Sequence, residues 1–381
     1  MTVDTSETVK KIEQEIAKIH TKQLDISFNE IADMYLSGEL NIKPEFQRLF
    51  RWSEEKRSRF IESLILEMPV PPIFVIEVQE GRFELIDGLQ RISSYLHFRG
   101  VLKSPDSDDD QTVQPLKLSG CEIAPVLNGY TFVDLPATYQ IRLKRNFIRM
   151  QIIRKENDPM LRYHMFKRLN TGGEQLQPQE LRNCTVRLIS DDFANFISEI
   201  SENVSFQNTT GNISDFNSQI AYREELALRF FANKNYMNKY VKNIEPFLDE
   251  YMKNVSLPES NDDHVDFDYQ EEKNHFEKLF LVLDKALGGK AFGSKNTRSD
   301  GITDSFRIYH FESIPLAISH IIDKVNPDDD NHISLIRQAL TEIKFDPDFV
   351  KLTTGGGKNT KNMLEERIAY VSNYLEGIDF G

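Results

Sequence analysis

The sequence predicts an α+β protein: a first half with a small mixed sheet and helices, then a mainly α-helical second half. Short β-rich runs at Ile73 to Val78, Phe83 to Ile86 and Phe147 to Ile153 are confined to the first half and interleave with helical patterns. From about residue 190 onward apolar residues recur mostly at helical spacing, as in Tyr222 to Phe231 and Phe276 to Leu287. A chain of 381 residues also exceeds one ordinary core. We therefore expect a leading helix over 1–24, a functional domain over 25–190 and a helical domain over 191–381.

Each element has a local reason. Val9, Ile12, Ile16 and Ile19 form one apolar stripe and predict a helix from Glu7 to Lys22. Ser27 and Glu30 have capping-box spacing and open the next helix. Ser53 is the N-cap of a helix carrying Phe60, Ile61, Leu64 and Ile65, which Pro69, Pro71 and Pro72 end. Gln79 to Arg82 reads as a hairpin turn, after which Asp87-Gly88 breaks the second strand and Leu89 to Arg99 resumes helical spacing. Ser104 to Gln114 is an acidic surface loop. Asp158-Pro159 starts a helix that Asn170-Thr171-Gly172-Gly173 stops, and Pro178-Gln179-Glu180 starts another.

Composition excludes several classes. Hydrophobic residues at 39%, with 26 Phe, supply enough apolar surface for a globular protein. No apolar run reaches the roughly 18–20 residues that span a bilayer, and Met1 to Lys10 lacks a signal pattern, so a cytoplasmic protein without membrane contact is expected. Cys121 and Cys184 are too few for a disulfide framework or a zinc knuckle and fit a reducing compartment. A net charge of −14 opposes a uniformly basic nucleic-acid surface. The stretch containing Arg142, Arg145, Arg149 and Arg154 is the local exception, either a DNA-contacting patch or a solvated face.

Three constellations could carry chemistry. Glu84 to Ser94 runs a strand through Asp87-Gly88 into a helix, which aims free amides and the first-turn Arg91 at whatever occupies the turn; this suits phosphate, with Asp87 facing a metal or water. The bland alternative makes Asp87 an N-cap and Arg91 a solvated side chain. Pro44 to Trp52 sets Gln47 and Arg48 among aromatics, either a pocket wall with Trp52 free to stack on a base or a buried plug. Phe166 to Leu176 ends a basic helix, with Lys167 and Arg168, in two glycines that suit either a ligand or a helix stop. Gly355-Gly356-Gly357-Lys358 fails as a phosphate loop, because Leu352 stands at the required first glycine and Asn359 follows the lysine.

Together P-x-F-Q-R-x-F-x-W (Pro44 to Trp52), I-D-G-x-Q-R (Ile86 to Arg91) and F-x-R-L-N-T-G-G-x-x-L-x-P-Q-E-L-R-N (Phe166 to Asn183) resemble the N-terminal domain family of GmrSD restriction enzymes. The resemblance implies a ParB/sulfiredoxin-like fold and a module that binds and hydrolyses a nucleoside triphosphate in anti-phage defence or modification-dependent restriction. Carried over, it puts Asp87, Gly88, Gln90 and Arg91 on the phosphate turn, with Gln47 and Arg48 opposite and Asn170 closing the site. Leu89 stands where the family's usual D-G-Q-Q-R has glutamine. His264, His275, His310, His320 and His332 are scattered outside any His-Asn-His context, so DNA cleavage by this chain alone is not expected.

The expected function is thus a nucleoside triphosphatase with Asp87, Gln90 and Arg91 catalytic. Nucleotide contacts would come from Gln47, Arg48, Trp52, Gly88, Lys167, Arg168 and Asn170, and Asp87 would hold Mg2+ with the phosphates. The alternatives are a DNA-binding sensor of modified bases using Arg142, Arg145, Arg149 and Arg154, and a non-catalytic scaffold for a separately encoded nuclease or a second copy of the chain.

Overall fold

Ser27 and Ser53 act as the spacing predicts: the Ser27 hydroxyl accepts from the Glu30 amide and the Ser53 hydroxyl from the Lys56 amide, starting helices α1 (Phe28–Ser37) and α2 (Glu54–Ile65). The computed structural model describes residues 21–42, 52–104, 111–154, 165, 178–187, 189–211, 213, 220–296 and 301–381. The chain divides into two compact units, Met1–Leu176 and Gln177–Gly381.

The first unit is built on a mixed five-stranded sheet of β1 (Thr21–Ser27), β2 (Leu40–Asn41), β3 (Ile73–Gln79), β4 (Arg82–Asp87) and β5 (Phe147–Ile153), in the order β1-β5-β3-β4-β2. β1 lies antiparallel to β5, β5 parallel to β3, β3 antiparallel to β4, and β4 parallel to β2. Gly81 at φ 74° closes the hairpin between β3 and β4. Helices α3 (Leu89–Arg99) and α4 (Ala137–Arg145) join α1 and α2. Ile148, Met150 and Ile152 alternate along β5 into a core with Phe28, Leu64 and Tyr95, while Phe147 and Arg149 stay exposed on the other face.

Two strands escape the sequence reading. Thr21 and Lys22, expected in the leading helix, belong to β1, whose seven residues pair with β5 from Thr21↔Ile153 to Ser27↔Phe147. Only Ile26 in β1 is buried, so pairing rather than local pattern decides the segment. β2 is two residues long and has no periodicity to detect. The expected helices at Glu7 and Asp158 lie largely outside the described residues, as does most of the acidic loop.

The second unit is helical: α5 (Pro178–Val186), α6 (Asp192–Ser201), α7 (Val204–Thr209), α8 (Ile220–Asn235), α9 (Ile244–Ser256), α10 (Tyr269–Leu287), α11 (Ile308–Ser319), α12 (Asp330–Phe345), α13 (Pro347–Thr353) and α14 (Lys361–Leu375). An isolated bridge, Lys295↔Ile302, is its only β pairing among the described residues. Stacked and edge-on phenylalanines fill its core, with Phe206 and Phe276 each within 5 Å of the Phe280 ring. No helix among the described residues is long and apolar enough to cross a membrane.

Candidate functional site

β4 ends at Asp87, and Gly88 turns the chain into α3 at φ 105°, a conformation that L side chains rarely adopt. A Cβ there would lie 2.5 Å from Ile73 Cγ2, so glycine is required by space as well as by conformation. No side chain caps the N-terminus of α3, and its first turn carries no acidic residue. The carboxylate that precedes the cap, Asp87, is paired with Arg91.

Arg91 spans this turn. Its Nη2 donates to Asp87 Oδ2 at 2.7 Å and to the Pro72 carbonyl at 3.0 Å, and 14% of the side chain is exposed. The guanidinium is therefore neither solvated nor fully open; an anion at the turn must share it with Asp87 or displace that carboxylate. Gln90 reaches the other way and accepts from the Trp52 backbone amide at 3.2 Å, so the structure joins the first two motifs across 38 residues. Trp52 packs edge-on to Phe60, with Lys56 Nζ 4.9 Å from the indole centroid. Two buried donors on these residues, Trp52 Nε1 and Arg91 Nε, have no acceptor among the described residues.

Leu89 points into the core, where it is 3% exposed, so a glutamine there would bury an amide and leucine removes no ligand contact. Gln47, Arg48, Lys167, Arg168 and Asn170 lie outside the described residues.

Sequence reasoning missed the groups that hold α2 and α3 in place. Glu62, on the buried side of α2, accepts from the amides of Glu122, Ile123 and Ala124. His97 Nε2 donates to the Gln114 carbonyl at 2.6 Å, so its Nδ1 accepts from Arg57 at 2.9 Å. Burial pushes the imidazole below its ordinary pKa and keeps it neutral in that role. The available signal is a charged residue, Glu62, inside the apolar stripe of Ile61, Leu64 and Ile65.

The basic stretch is largely neutralised. Arg142 pairs with Glu67 at 3.1 Å, Arg154 with Glu77 at 3.0 Å, and Arg149 holds both oxygens of Asp25 at 2.9 and 3.2 Å. The hydrogen bond from Arg149 holds the Asp25 carboxyl below its usual range. Arg145 is exposed. With Met68, Pro72, Ile141 and Phe147 it lines an open groove of about 950 Å³. Glu67 on its rim adopts φ 57°, the only non-glycine residue with positive φ among those described. That conformation follows from the helix end, where Glu67 takes the left-handed position after α2 and the Met68 amide returns to the Ser63 carbonyl. Pro72 lines the groove and also accepts from Arg91, so groove and turn share a backbone segment.

Residues 28–187 match the family described as GmrSD restriction endonuclease, N-terminal domain. This segment is a GmrSD N-terminal domain. It links the chain to restriction systems. No curated protein and no solved structure matches the chain.

The GmrSD match extends to residue 187, whereas the second compact unit begins at Gln177. The end of its last motif, Arg182 and Asn183, sits in a hydrogen-bonded network within the second unit. Arg182 on α5, 3% exposed, donates to Asp249 at 2.7 Å, Gln179 at 3.0 Å and Glu225 at 3.2 Å. Asn183 donates to Glu224 at 2.6 Å. Burial raises the Glu224 pKa, opposed by that hydrogen bond. Among the described residues no group of three His, Cys, Asp or Glu side chains could hold a metal ion.

Proposed function

We propose that the GmrSD N-terminal domain binds a nucleoside triphosphate with its phosphates at the Asp87 to Arg91 turn, and hydrolyses it in a restriction system. The observation that carries this reading is the helix start at Gly88 that no side chain caps, with the Arg91 guanidinium across the turn from it. A helix N-terminus and an arginine both favour an acceptor-rich anion. Gly88 holds the turn in this conformation, because a Cβ there would collide with Ile73.

Asp87 fits Mg2+ as a single carboxylate ligand, since magnesium is ordinarily shared between one or two carboxylates and the substrate's phosphates. When bound, the ion would neutralise phosphate charge. Asp87 has a second role: it keeps Arg91 aimed across the turn until the phosphates compete for the guanidinium. Gln90 ties the turn to Trp52, so ligand at one is felt at the other. Gln47, Arg48, Lys167, Arg168 and Asn170 are proposed to complete the site.

A second reading, DNA binding, rests on Arg145 and the 61%-exposed Phe147 in the groove beside Pro72. Purified protein, incubated with each of four nucleoside triphosphates and magnesium, should bind at least one and release phosphate. Binding without release would leave a non-catalytic nucleotide sensor or scaffold; neither binding nor release would remove the reading.

A further inference from the structure

β5 carries the open groove of the first unit on the face turned away from the core, through Phe147, Arg149 and Gln151. These pair in register with Ser27, Asp25 and Gln23 of β1, so the groove of about 950 Å³ runs from the end of β1 back toward its start. Its wall is apolar where it is most open: Phe147 is 61% exposed, Ile141 50% and Met68 42%. Arg145 beside them is exposed and has no ion pair among the described residues. Large apolar side chains gathered in one open groove, with a spare cation at its rim, mark a surface that another segment covers.

The segment that leads into β1 has the complementary face. Residues 1–20 lie outside the described residues, and their sequence places Val9, Ile12, Ile16 and Ile19 on one helical stripe. So short a helix is marginal in water and draws its stability from burying such a stripe. The lengths agree as well. A helix from Glu7 to His20 measures about 21 Å, and β1 from Thr21 to Ser27 measures about 20 Å. Turning back at Thr21 and running antiparallel to β1, the helix begins level with Ser27 and Phe147, where the groove is most apolar. Asp4 and Glu7, which precede its first lysine, Lys10, then meet Arg145.

We propose that residues 7–20 form a helix seated in this groove of their own chain, its aliphatic stripe over Phe147, Ile141 and Met68 and its acidic start beside Arg145. The helix covers the surface on which DNA binding would rest, so it must leave before Arg145 and Phe147 can meet another ligand. The contact requires no nucleotide at the Asp87 turn.

The test is amide hydrogen exchange, read by mass spectrometry on the full chain. Amides from Val9 to Ile19 should exchange roughly tenfold or more slowly than an unstructured chain does. Ile141→Asp with Phe147→Asp, both at exposed positions, should return them to the unstructured rate in a protein whose melting shows it folded. Ile12→Asp with Ile16→Asp should do the same without touching the groove, and Arg145→Glu should speed exchange by a smaller factor. Unstructured rates in the wild type overturn the proposal. So does protection that survives Ile141→Asp with Phe147→Asp, which would seat the helix elsewhere. Protection that disappears on dilution as a dimer dissociates also overturns it, because the helix would then lie on a second copy.

Discussion

Arg91 and Arg229 both sit in ion pairs, and the contrast between them separates the two halves of the chain. Arg229 on α8 is held by Glu225 at 2.8 Å and Glu312 at 2.9 Å, and these acids also hold Arg182 and Arg367. That chain of charges is buried on every member, at 14% exposure or less along Arg182, Glu225, Arg229, Glu312 and Arg367. Arg91 has one carboxylate, Asp87, which is 32% exposed, and stands beside a helix start that no side chain caps. The first network crosslinks helices; the second leaves capacity for an incoming anion.

The largest effect is expected on removing a buried partner from the Arg229 network. Arg229→Ala takes from Glu225 and Glu312 their closest cation, leaving each with one longer ion pair, and should cost about 3–5 kcal/mol, lowering the melting midpoint by on the order of 10 °C. A loss no larger than that of Arg91→Ala would erase the distinction. Lys344 tests the same interior by pH. Its amine is fully buried against the carbonyls of Ala291 and Gly293, and burial pushes its pKa down to about 7. The unfolded chain therefore binds this proton up to its ordinary pKa near 10.5 while the folded chain releases it near 7. This contribution to stability rises with pH across that window, by at most about 1.4 kcal/mol per pH unit, and falls as pH drops toward 7. Lys344→Met should flatten the slope measured by denaturant unfolding at a series of pH values.

Helix starts and the strongest strands were legible because their causes are local. Ser27, Ser53 and the alternation of Phe147 to Ile153 each fix an element within a few residues. β1 was not legible, because its partner lies more than a hundred residues away in β5. The turn at Asp87 was readable as a strand, glycine and helix, but its Arg91–Asp87 pair and the Gln90 link to Trp52 depend on tertiary placement. Similar reasoning explains Arg182: its motif suggested the site family, whereas only the packing of α5 reveals its partners Asp249 and Glu225.

Effects at the turn should be smaller in stability and larger in ligand binding. Gly88→Ala introduces a Cβ against Ile73 and the Arg91 guanidinium at an unfavourable φ and should cost roughly 1–3 kcal/mol while displacing the turn. Melting and nucleotide titration measured together would separate the two consequences. Arg91→Ala removes a partly exposed pair and should change stability by about 1 kcal/mol or less while reducing nucleotide affinity at least tenfold. The smallest effect belongs to the groove: Arg145→Glu with Arg149→Glu should spare nucleotide affinity and weaken any DNA association seen at low salt, by less than four unpaired arginines would give, because Arg149 is already paired with Asp25. Loss of nucleotide and DNA binding together would show a shared surface.

Binding of a nucleotide at the Asp87 to Arg91 turn can be followed by the fluorescence of Trp52, the sole tryptophan. The Trp52 backbone amide is hydrogen-bonded to Gln90 on that turn, so its emission reports from beside the turn. Titration with a nucleoside triphosphate and magnesium should give a saturable change that is lost in Arg91→Ala. The same saturable change in a folded Arg91→Ala protein, or nucleotide binding by calorimetry with no response from Trp52, would contradict it.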